Sequence, residues 1–136
     1  MSLPITLLAA SLLVSLFLIL VVRNIQARLL KIKADQSGGA SPEIEAQLNH
    51  RMRVVANFSE YAPLGLVILG ALEAARAPTF LVMGVAIALV LGRILHAWGF
   101  SRSAGASFGR MWGTIITLLT LIVAALGGLY TALLMG

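Results

Sequence analysis

Residues 3–22 read LPITLLAASLLVSLFLILVV, a run without a single charge. At about 1.5 Å of rise per residue, a helix of this length matches the roughly 30 Å hydrocarbon core of a bilayer. A secretory leader would place a basic segment before a shorter apolar core, and nothing basic precedes Leu3. The run is expected to be a permanent first transmembrane helix.

The rest of the chain agrees. Of 136 residues, 60% are hydrophobic and 11% charged, and the mean hydropathy is +0.98. Ordinary soluble domains are about 45–50% apolar and about 25% charged. One membrane domain over residues 1–136 is expected, with room for about three to five spans. The net charge of +5 does not indicate nucleic acid, because the basic residues sit at the ends of apolar runs. Cysteine is absent, which excludes a disulfide, a thiolate metal ligand and a cysteine nucleophile. Thiol chemistry, if any, needs a thiol carried by a ligand.

Four apolar stretches predict helices at about residues 3–33, 42–75, 79–100 and 110–134. The fold class is an all-α integral membrane protein, a four-transmembrane-helix bundle. ADQSGGASPE, residues 34–43, is a loop followed by a helix start. Ser41 stands at the N-cap, Pro42 suits the first turn, and Glu43 and Glu45 favour the positive end of the dipole. EAARAPTF turns the chain again, and residues 101–109 form the third connection. Arg23, Arg28, Lys31, Lys33, Arg51 and Arg53 flank the first connection and Arg93, Arg102 and Arg110 the third, against Arg76 alone at the second. This asymmetry places connections one and three in the cytoplasm and both termini opposite; in a bacterium the membrane would be the inner one.

NHRMRVVANFSEYAP, residues 49–63, leads into the second apolar run. His50, Arg53, Asn57 and Glu60 are spaced 3, 4 and 3 apart and share one helix face, which turns apolar at Leu64. A central charge facing lipid costs about 2.5–3.5 kcal/mol on insertion scales, so the stripe should face other helices or a wet cavity. The plainer reading has Arg53 snorkelling to the headgroups while Asn57 and Glu60 link helices. Arg93, His96 and Phe100 form a second stripe on helix three. Guanidiniums, an amide, one carboxylate and Tyr61 suit a small anion bearing carboxylates and an amine. With two histidines and no carboxylate pair at ligand spacing, no metal is expected. No nucleic-acid motif is present.

Arg53-x-x-x-Asn57-x-x-Glu60-Tyr61-x-Pro63 resembles the helix-two motif of the MAPEG family, the membrane-associated proteins in eicosanoid and glutathione metabolism. The family includes microsomal glutathione transferases, leukotriene-C and prostaglandin-E synthases, and a non-catalytic lipoxygenase-activating relative. The resemblance covers nearly the whole chain. It implies a homotrimer with glutathione, as co-substrate, bound between neighbouring subunits near the cytoplasmic face. Residue by residue, it makes Arg53, Asn57, Glu60 and Tyr61 glutathione contacts, with Arg28 reaching the peptide's carboxylate; Arg93 begins the helix-three motif, and His96 is the candidate donor in place of a family tyrosine. Arg102-Ser103-Ala104 resembles the segment closing the helix-three motif of leukotriene-C synthase. Arg110 is the candidate for the family's thiol-activating arginine, although its spacing is a few residues longer than in that synthase.

Four positions depart from the synthase pattern. His50 replaces an arginine, Val55 replaces a glutamine, and His96 and Phe100 replace two tyrosines; phenylalanine donates no hydrogen bond. The implied activity is a glutathione transferase, with or without peroxidase activity, that joins the thiol to a lipophilic molecule entering between helices one and four. Two other readings stay open. One is a non-catalytic lipid-binding scaffold, favoured by the donors lost at Val55 and Phe100. The other is a small proton-coupled exporter using Glu60, which Arg53 and Asn57 on the same face disfavour.

Overall fold

The computed structural model of the protein describes residues 2–102 and 108–135, with side chains outside residues 100–102. Four helices follow in order: α1 Pro4–Gln36, α2 Pro42–Ala74, α3 Thr79–Arg102 and α4 Phe108–Met135. Each is long and apolar enough to cross a membrane. The described residues contain no strand, as expected where no water is present to satisfy an open sheet edge. The chain is an all-α, four-helix integral membrane bundle.

At 33 residues each, α1 and α2 are about 50 Å long, well beyond the hydrocarbon core. Their polar ends therefore stand clear of the lipid around the first connection. There Gly38 and Gly39 take φ of +118° and +112°, a region open to glycine alone at no steric cost. Asp35 braces the turn by accepting from Lys31 Nζ at 2.7 Å and from Ala40 N at 3.1 Å. Ser41 sits at the α2 N-cap in extended conformation, but its hydroxyl makes no capping bond. Pro42 opens the helix instead, and Glu43 and Glu45 lie in its first turn. At the other end, Ala77 N donates to Leu72 O at 3.0 Å, closing α2 with Arg76 at φ 57° in the left-handed position usual after a helix C-terminus.

α2 and α3 form the inner diagonal. α1 packs on both and so does α4, whereas no Cα of α1 comes within 8 Å of one of α4 among the described residues. The core has two parts. Ala9, Leu69, Leu72, Val82, Val85 and Ala124 fill the half near the second connection. Leu13, Leu20, Val54, Phe58, Ala62, Leu89 and Ala97 fill the basic half.

The closest contact is between α3 and α4, and small residues permit it. A Cβ on Gly113 would collide with His96 N and lie 2.7 Å from Gly92 O; one on Gly99 would collide with Arg110 N. The threonines of α4 hide their hydroxyls within the helix: Thr117 Oγ1 donates to Gly113 O and Thr120 Oγ1 to Ile116 O, both at 2.7 Å. In lipid, that satisfies a group that would otherwise lack a partner.

Candidate functional site

The buried face of α2 runs Val54, Phe58, Ala62, Gly65, Leu69 and Leu72. The polar stripe lies beside this seam, offset by about one residue, or 100° of helix rotation. Its members therefore divide. His50 and Asn57 are half-buried, as is Tyr61 beside them, while Arg53 and Glu60 are exposed on the outer surface of the chain. Within the chain, only the inner members of the stripe lie against other helices.

Arg93 of α3 is the centre of the arrangement. It is 1% exposed, and its Nη2 donates to Asn57 Oδ1 at 2.8 Å. Its guanidinium carbon lies 5.2 Å from the centroid of Phe58 and 5.8 Å from that of Tyr61, within cation–π range. Phe58 in turn stacks on Phe17 of α1, with centroids 5.6 Å apart. One buried cation thus ties α3 to α2 and, through Phe58, to α1.

Because arginine donates and never accepts, the Asn57 atom facing it must be the carbonyl oxygen. That orients the amide, so Asn57 meets any ligand as an Nδ2 donor. His96 is 4% exposed, with its Nδ1 3.4 Å from Arg93 Nη2. Arg93 Nε is buried with no partner among the described residues.

The structure therefore brings together Asn57, Tyr61, Arg93 and His96. It does not bring Arg28, Arg53 or Glu60 into that cluster: all three are exposed, at the basic half of α1 and α2. Arg110, half-buried in the first turn of α4, has its backbone packed against Gly99, three residues beyond His96. The side chains of Phe100 and Arg102, and residues Ser103 and Ala104, lie outside the described residues. No His, Asp or Glu cluster able to hold a metal occurs among the described residues.

Two participants escaped the sequence reading. The signal for Phe58, one residue after Asn57 and one turn before Ala62, is no different from packing. Glu73, at the far end of α2, accepts from Ile5 N at 2.9 Å and Thr6 N at 2.7 Å, closing the α1 N-terminus where free N–H groups and the dipole favour an anion.

An apolar cavity of about 400 Å³ lies between α1 and α3, with Leu8, Leu12, Ile87 and Leu91 among its walls. A polar one of about 220 Å³ lies between α1 and α2 at the basic end.

Comparison with curated proteins returns no match, and neither does comparison with solved structures. The MAPEG family model, however, matches residues 5–130, a span that runs through all four helices and includes every residue of the Asn57–Arg93 cluster. With that match over nearly its whole length, the chain belongs to the MAPEG family.

Proposed function

We propose that the protein is a membrane-bound glutathione transferase that conjugates glutathione to a lipophilic electrophile. MAPEG proteins belong to membrane glutathione and eicosanoid metabolism, and the family contains both transferases and non-catalytic members. The observation that carries the transferase reading is the division at the basic half of the bundle. The Asn57 amide is held from behind by Arg93, and beside it Arg53 and Glu60 stay exposed. Together these supply a cation, an oriented N–H donor and a carboxylate, the complement of a peptide with carboxylates, carbonyls and an amine. Arg28 adds a second exposed cation on α1.

In this reading the site is completed by a neighbouring copy in a homotrimer, at the cytoplasmic side of the membrane. Support comes from α1 and α4, whose backbones stay apart within one chain among the described residues; a lipophilic molecule passing between them crosses a subunit boundary. Arg110 is the thiol-activating residue. A free thiol has a pKa of about 8.5, and lowering it by about two units needs roughly 2.7 kcal/mol of preference for the thiolate. A guanidinium in the first turn of α4 adds its charge to the positive end of that helix. The thiolate sulfur then forms a bond to the electrophilic carbon, and the leaving group departs with its electron pair. The protein positions and charges a borrowed nucleophile.

The apolar α1–α3 cavity favours a second reading, a non-catalytic lipid-binding member. Purified protein given glutathione and chlorodinitrobenzene separates the two. The transferase reading expects conjugate, reduced about a hundredfold or more in Arg110→Ala, in line with the loss of a transition-state charge. Glutathione-independent lipid binding with no conjugate would establish the scaffold.

A further inference from the structure

We propose that the polar cavity between α1 and α2 binds a phosphate-bearing anion, delivered as the headgroup of an anionic phospholipid. Its walls are Arg23, Gln26, Ala27 and Leu30 on α1 and Gln47 and Arg51 on α2. The α1 residues follow one another by 3, 1 and 3 positions and the α2 pair by 4, so each set lies on one helix face. Ala27, buried against α2, lets the helices approach, and its missing bulk leaves the space of about 220 Å³ above it, far more than one water requires.

The lining is one-sided in charge. Two guanidiniums and two carboxamides contribute many N–H donors, and no carboxylate lines the cavity. Asp35, further along α1, is held by Lys31 at 2.7 Å. Each guanidinium has five donors, so a bond to a protein neighbour leaves others for an oxyanion. A tetrahedral phosphate, with several acceptors around one centre, fits such a set better than a planar carboxylate does.

Position names the source. The uncharged run of α1 ends at Val22 and Arg23 is its first charge, which sets the cavity at the depth where apolar surface gives way to headgroups. On the same helix Ile25 and Leu29 are 49% and 53% exposed, a lip along which an acyl chain can lie. Arg51 is two residues from Arg53, about 200° around α2, so this site is separate from the glutathione reading and does not rest on it.

The test is native mass spectrometry of the detergent-purified full chain with phosphatidylglycerol or phosphatidylcholine, alongside thermal melting with inorganic phosphate. Phosphatidylglycerol should be retained in preference to phosphatidylcholine. Arg51→Gln should weaken that retention about tenfold, the low end for a charge-assisted hydrogen bond, and Arg23→Gln/Arg51→Gln should abolish the preference. Arg51→Lys, which keeps the charge and loses the fork, should fall between. Lys33→Gln, the same charge change at the same end but outside the cavity, is the control. Melting raised by phosphate in the wild type but not in the double variant, without lipid retention, would assign the site to a soluble phosphate. Equal retention of both lipids with no phosphate effect would overturn the proposal, as would a loss in Lys33→Gln equal to that in Arg51→Gln.

Discussion

Arg93 shows how one side chain fixes the chemistry of another. It has donors only, so Asn57 must turn its oxygen inward and present its Nδ2 to a ligand. Two substitutions separate the inward bond from the outward donor. Asn57→Asp keeps an oxygen for Arg93 and removes the N–H donor. It should fold and melt like the wild type while binding glutathione about tenfold more weakly, as read by calorimetry in detergent. Asn57→Leu removes both and strands a buried guanidinium, and should cost about 1–3 kcal/mol of stability as well. If Asn57→Asp bound glutathione normally, the amide would be structural only. The sequence made Asn57 and Arg93 visible as polar residues on apolar helices. It could not pair them, because the meeting of the two stripes depends on which face of α3 turns toward α2.

That rotation is set between elements, chiefly where α3 meets α4. Gly92, Gly99, Gly109 and Gly113 let the two backbones approach, and this seam holds α3 in the rotation that buries Arg93. A methyl group at Gly113 has no room between His96 N and Gly92 O. Gly113→Ala should therefore destabilise the bundle by about 1–3 kcal/mol, the usual range for overpacking. Gly84→Ala, on the same helix pair with nothing within 4 Å of the new Cβ, should leave the melting temperature unchanged or slightly raised. Equal behaviour of the two variants would remove the seam from the account. The helices themselves were legible, since charge-free runs of bilayer length leave few alternatives. The tie between Glu73 and the start of α1 was not, because it joins groups 68 and 67 positions apart and a carboxylate near a helix end gives no sign of its partner.

At the scale of the whole molecule, a single chain holds the locked amide but leaves Arg28, Arg53 and Glu60 on its surface and keeps the backbone of α1 away from that of α4. If neighbouring copies complete the site, two defective chains should rescue each other. Co-expressed Glu60→Ala and Arg110→Ala subunits, purified through a different tag on each, should regain conjugating activity that neither has alone; no rescue would place the site within one chain. The most direct measurement of the central claim is the ultraviolet difference absorbance of the glutathione thiolate on the purified protein at about pH 7, below the free thiol's pKa of about 8.5. The account predicts a saturable, glutathione-dependent thiolate signal that Arg110→Ala abolishes and that disappears when the electrophile is added and consumed. Saturable glutathione binding with no thiolate signal, and no conjugate formed, would contradict it.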